Sequence, residues 1–255
     1  MIIDLFLCFV FYSFAGWFWE SFILSLGQEH RIINRGFLNG PYCPIYGVGA
    51  LAAAYISSII GNNYVLLFIL SGIIACIIEY ITSFALEKLF HARWWDYSNR
   101  FMHLNGRICL AGFILFGLAS VGVSLVQPYV YGFITSISWR NTLAIVIAII
   151  IALDIFSTAK SVKSFNKTLR EFQNFLNRGR IIQFISRGKK VFVGQIEKGS
   201  RKILTYPQRR LIRAFPSYRS YYDKAYNEVK KFYDSTKYKP KKTAHARKKS
   251  QKIVK

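Results

Sequence analysis

The chain has 255 residues, 53% hydrophobic and 17% aromatic, with a formal charge of +23. A water-soluble domain of this length does not need so many apolar residues, and the charge is not spread evenly. Residues 1–158 carry seven basic and seven acidic side chains, so the whole excess lies from Lys160 onward. Two regions of different physics meet near residue 159.

In chain order, five segments are long and apolar enough to cross ~30 Å of hydrocarbon. They cover about 5–26, 43–60, 64–86, 108–126 and 141–156. The first lacks a basic leader and a small-residue cleavage site, so it is expected to be retained rather than removed as a signal peptide. Cys8 and Cys76 lie inside apolar runs, and Cys43 and Cys109 beside polar loops. No spacing suggests zinc or a disulfide framework. The fold class expected is all-α: a polytopic membrane bundle of about five helices over 1–158, followed by a basic tail over 159–255.

Loop 27–42 holds Arg31 and Arg35, and loop 87–107 holds Lys88, Arg93, Arg100 and Arg107. Loops 61–63 and 127–139 hold no charge. Basic loops stay cytoplasmic. The N-terminus is therefore expected outside a cell (inner) membrane, with both long loops and the tail inside. Tyr64, Tyr129, Tyr131 and Trp139 would form an outer aromatic belt, and Trp94 and Trp95 an inner one.

The tail opens as a basic amphipathic helix expected over 159–186. Phe165, Leu169, Phe172 and Leu176 form a stripe among Lys160, Lys163, Lys167 and Arg170. Such a helix suits anionic lipid. The remainder is expected to be partly helical and partly disordered. Nucleic acid is the weaker partner, because basic cytoplasmic tails commonly serve topology and lipid contact.

Leu38-Asn-Gly-Pro-Tyr-Cys43 and Leu104-Asn-Gly-Arg-Ile-Cys109 each stand before an outward-going span, and each follows an inward-going span bearing an acid, Glu20 or Glu79. Two hairpins of like orientation, a parallel repeat, would explain this. Coincidence in a short window is the alternative. An acid in lipid must find a partner or stay protonated, so both should face the bundle interior. Arg35, Arg93 and Arg107 are the cations at that depth. Asn34, Asn39, Tyr42, Tyr46, Tyr80 and Asn105 add hydrogen-bonding capacity. Together these residues could line a cytoplasm-facing pocket for an ion, a proton or a small polar solute. They could equally staple helix ends and loops, since buried backbone groups need partners in lipid.

The interfacial loop contributes Glu87, Arg93, Trp94, Trp95, Asp96 and Tyr97. Trp94 and Trp95 suit an anchor, and Asp96 can pair with Arg93. His91 and His103 could reach a metal with Asp96 or Cys109, but nothing in the spacing requires one. No metal, cofactor or catalytic set is expected, and the chain is read as a non-enzyme.

These segments resemble the bacterial family of Putative ABC-transporter type IV proteins. Asn34-Arg-Gly-Phe-Leu-Asn-Gly-Pro-Tyr-Cys-Pro-Ile-Tyr-Gly47 is similar to its first signature. Glu79-Tyr-Ile-Thr-Ser83 with Glu87-Lys-Leu-Phe-His-Ala-Arg-Trp-Trp-Asp-Tyr97 is similar to the second, and Asn105-Gly-Arg-Ile-Cys109 to the third. Gly16 and Glu20 match the acidic first helix. The likeness covers about residues 4–130 and excludes the tail. It implies a bacterial inner-membrane protein of the ABC-transporter permease type. Any ATPase would be a separate subunit, because Gly194 to Ser200 has the outer spacing of a phosphate loop but no lysine. The competing function is a membrane anchor or adaptor whose tail binds anionic lipid or an acidic partner. Substrate and oligomeric state are not readable from the residues.

Overall fold

A computed structural model describes residues 1–29, 32–90, 93–177 and Asn227. The described residues up to Phe172 belong to one compact unit. Among the described residues the secondary structure is helical, with no β-strand. Helix α1 (Ile2–Phe18) passes into a π-helical stretch (Trp19–Leu24) and a short α2 (Ser25–Glu29). Then follow α3 (Pro44–Ile60), α4 (Tyr64–Phe90), α5 (Leu110–Ser136) and α6 (Arg140–Asn177).

Among the described residues, four stretches are long and apolar enough to span a membrane: Ile2–Gly27, Tyr64–Phe90, Leu110–Ser136 and Arg140–Lys167. The fifth, α3, has 17 residues. At 1.5 Å per residue it measures about 26 Å, near the lower limit for a span. Large apolar side chains cover the outside of the bundle: Val65 is 72% exposed and Phe156 71%. Such a surface is stable against lipid and not against water.

Local chemistry sets the helix ends. Cys43 and Cys109 are both extended residues at the N-caps of α3 and α5, and Pro44 follows in the first turn, where its missing N–H costs nothing. Gly61, at φ 69°, closes α3. The Asn63 side chain accepts from the Leu66 amide at 3.1 Å and caps α4. Arg140 donates to the carbonyls of Thr135 and Ile137 at the end of α5. It also pairs with Asp4 at 3.0 Å, which places the N-terminus beside the α5–α6 connection.

Close helix approach depends on small residues, as expected in lipid. A Cβ on Gly47 would lie 2.3 Å from Ser13 Oγ and 2.5 Å from the Phe9 carbonyl of α1. Gly72 of α4 makes room for Phe113 of α5, where a Cβ would meet the ring at 2.7 Å.

Two boundaries differ from those read in the sequence. Loop 127–139 is largely helical, because α5 continues through Pro128 to Ser136. One proline removes one backbone donor, while Val130 and Ile134 of the continuing turns are buried in the core with Leu7, Cys8 and Tyr12. Tyr129 and Tyr131 therefore sit on a helix rather than in a turn. The charge step at residue 159 also falls inside α6, which runs unbroken from Arg140 to Asn177. The span and the start of the expected 159–186 helix are one rod. Its part beyond Asn177, and the rest of the tail apart from Asn227, lie outside the described residues.

Candidate functional site

The polar residues singled out in the sequence gather at the end of the bundle opposite Asp4 and Arg140, in three linked groups.

The first group is two carboxyls and two phenols. Glu20 sits in the π-helical stretch of the first span. Such irregular turns re-aim a side chain and are frequent at functional sites. Its Oε1 accepts from the Tyr46 hydroxyl of α3 at 2.5 Å. Gly16, one turn earlier, carries no Cβ because the Tyr46 ring occupies that space, 2.2 Å from where a Cβ would be. Glu79 of α4 is 4% exposed. Its Oε1 accepts from the Tyr97 hydroxyl at 3.0 Å, and its Oε2 has no hydrogen-bond partner. The two carboxyls lie within electrostatic range of each other, and Arg35 acts on Glu20. Burial, then the Glu79 and Glu20 carboxyls, push the Tyr97 hydroxyl far above the ordinary phenol range, so it stays a donor.

The second group centres on Arg107, which is 8% exposed. It pairs with Glu87 at 2.8 Å and donates to Ser83 at 3.1 Å. Its guanidinium lies over the Tyr80 and Phe84 rings at 5.6 and 5.5 Å. Tyr80 in turn accepts from the Asn105 amide at 3.0 Å. Glu87 also accepts from Arg93 at 3.2 Å, and Arg93 reaches Asp96 at 4.0 Å. Asn105 and Gly106 both have positive φ, 53° and 67°, and the Arg107 amide closes on the Leu104 carbonyl at 3.0 Å. This is the Asn-Gly hairpin turn, and it presents Arg107 to Glu87. A side chain at Gly106 would strike Ser98 and Asp96.

The third group secures the first loop. Asp154 of α6 accepts from the Gly40 amide at 2.8 Å, the Asn39 amide at 3.3 Å, the Tyr42 hydroxyl at 2.7 Å and Thr158 at 3.1 Å. The Asn39 side chain donates to Thr158 at 2.8 Å. Asn34 accepts from the Trp17 indole at 3.0 Å and donates to the Asn39 carbonyl at 2.9 Å. Burial and the Asp154 carboxylate push the Tyr42 hydroxyl up.

The two Leu-Asn-Gly segments therefore end alike, at extended Cys N-caps, but fold differently before them. One wraps a carboxylate on α6; the other makes a tight turn.

Glu20, Tyr46 and Glu79 come together as one cluster. Arg107 and Arg93, two of the cations expected to partner those acids, bind Glu87 instead. Trp94, expected as an interfacial anchor, is 5% exposed and packs on Phe37 and Phe90 with ring centroids at 5.3 and 5.6 Å. Trp95 donates to the Arg107 carbonyl at 2.9 Å. His103 accepts from the Gly106 amide at 3.2 Å, and His91 lies outside the described residues. Asp154 and Thr158 were not among the candidates. An acid in an apolar span was the available signal, as it was for Glu20 and Glu79.

Beside the carboxyl cluster lies a cavity of 480 Å³ between α1, α3, α4 and α5, lined by Tyr46 and Glu79 and mostly apolar otherwise.

Apolar helices of spanning length and an exterior of large apolar side chains define a polytopic membrane helix bundle, with acidic side chains set into its spans. The chain belongs to the Putative ABC-transporter type IV family, whose model matches residues 7–159. No curated protein and no solved structure matches it.

Proposed function

We propose that the bundle is the permease-like component of a transport system, with a cytoplasm-facing pocket built on Glu20, Tyr46, Glu79 and Tyr97. The observation that carries this reading is Glu79 Oε2, a buried carboxylate oxygen without a partner beside a cavity. Asp154 has both oxygens hydrogen-bonded, whereas Glu79 keeps one without a partner at a cost of several kcal/mol in lipid, which a ligand could offset. The Arg107–Glu87 and Asn39–Asp154 networks hold the two loops that frame the pocket. The N-terminus and the Gly61 turn face outward, and the basic loops and tail face inward, by the distribution of arginine. Nucleotide hydrolysis would come from a separate ATPase subunit.

The test is proton conductance in pyranine-loaded proteoliposomes under an imposed potential. Wild-type chain should speed internal pH change, and Glu20→Gln and Glu79→Gln should each return it towards the rate of empty vesicles. Equal rates for wild type and both variants, with normal insertion, would end the transport reading.

A second reading rests on charge. The whole +23 excess follows residue 159, and its first part lies on α6, where Val162 and Phe165 are buried and Lys160 and Lys163 are not. This tail would lie on anionic lipid, at about 1 kcal/mol per basic residue near the surface. Trypsin cleavage of the tail in reconstituted chain should be slower in phosphatidylglycerol than in phosphatidylcholine. Salt should remove the difference.

A further inference from the structure

The cavity between α1, α3, α4 and α5 has a composition that selects its occupant. Four aromatic side chains line it, Tyr12, Trp19, Tyr46 and Phe116, with small and aliphatic residues between them. Among the described lining residues none is basic. The lining hydroxyls donate elsewhere: Tyr12 to Gln127 at 2.8 Å, Tyr46 to Glu20 at 2.5 Å and Ser120 to the Phe116 carbonyl at 2.8 Å. Glu79 Oε2 remains, buried and without a partner.

This donor set is wrong for several ligands. An anion would meet a carboxylate and, among the described lining residues, no cation. A sugar would find few free hydrogen-bonding groups. A calcium ion takes six to eight oxygens, and here one carboxylate oxygen is uncommitted. A purely apolar molecule would fill the space but leave Oε2 unsatisfied. A bulky apolar cation meets both conditions: its charge satisfies the carboxylate, its apolar groups fill the walls, and aromatic faces attract cations. The volume falls within the range for small-molecule pockets.

We infer that this cavity binds an amphipathic organic cation, its charged centre against Glu79 and its apolar groups against Tyr12, Trp19, Tyr46 and Phe116. The inference deepens the pocket reading above and does not depend on transport.

The test uses full-length chain in lipid nanodiscs, with tetraphenylphosphonium as probe and tetraphenylborate as its anionic counterpart of equal size and shape. Binding is measured by equilibrium dialysis against empty nanodiscs. Tetraphenylphosphonium should bind saturably above the empty-disc level, and tetraphenylborate should not. Glu79→Gln should weaken tetraphenylphosphonium at least ~10-fold, the scale of one buried charge-assisted contact. Ala119→Leu, which narrows the cavity without touching charge, should weaken it as well. Binding no greater than in empty discs, equal binding of both ions, or unchanged affinity in Glu79→Gln would overturn the inference. If Glu79→Gln does not fold, the wild-type ion pair and Ala119→Leu decide it. Binding without proton conductance ends the transport reading alone, and conductance without binding ends this one alone.

Discussion

Arg107 binds Glu87 at 2.8 Å, and among the described residues no basic side chain stands within ion-pair distance of Glu79, two turns deeper on the same helix. The cation spent at the rim leaves the deeper acid with a phenol. One helix thus carries an acid bound in an ion pair and a buried acid with one oxygen unpartnered.

Arg107→Lys should destabilise the bundle although it keeps the charge. Lysine cannot bridge Glu87 and Ser83 together or stack on Tyr80 and Phe84. Glu87 is one-third exposed, so the expected loss is about 1–3 kcal/mol rather than the full cost of breaking a buried pair. A melt in detergent measures it, and an unchanged midpoint would count against the network.

Asp154→Ala should free the first loop. Two backbone amides and two hydroxyls lose their acceptor. At ~1–3 kcal/mol for unsatisfied buried donors, hydrogen exchange at Gly40 should rise at least tenfold. Tyr42→Phe removes one of these bonds and should produce a smaller rise.

Two glycines of α3 should respond in opposite senses. Gly47→Ala places a methyl against the α1 backbone and should cost about 1–3 kcal/mol. Gly49 has nothing within 4 Å of a new Cβ, so Gly49→Ala should be neutral or stabilise by up to ~1 kcal/mol. Thermal midpoints of the pair settle it, and equal losses would contradict the packing.

Membrane-impermeant thiol labelling in spheroplasts tests the orientation. Asn62→Cys and Asn99→Cys are exposed positions on the α3–α4 and α4–α5 connections. Asn62→Cys should label from outside and Asn99→Cys only after the membrane is broken. The reverse pattern would invert the topology.

Asp96 makes the second loop sensitive to acid. The Ser98 hydroxyl and amide hold its carboxyl below the usual aspartate range. A depressed carboxyl contributes order that is complete above the unfolded value and is lost as pH falls through the folded one. Hydrogen exchange at Ser98, corrected for intrinsic rate, should stay slow to below pH 4 and then rise; a loss of protection already near pH 6 would speak against this.

The spans were legible because lipid demands long apolar runs, which leave an unmistakable pattern. The acids of the spans were legible for the same reason: Glu20 and Glu79 interrupt runs that should not contain them. Pairing was not legible. Depth alone offered Arg107 to any acid at that level, and the choice of Glu87 depends on the Asn105-Gly106 turn. Trp94 misled because an indole at a predicted boundary suits both a headgroup layer and a cavity between Phe37 and Phe90.

Residue order alone determined which stretches must leave water, where charge accumulates and which acids need a partner, since those follow from transfer energies carried by each side chain. Only the folded bundle decided which partner each acid received, because a hydrogen bond of 2.5–3.3 Å depends on how helices and turns from distant parts of the chain meet.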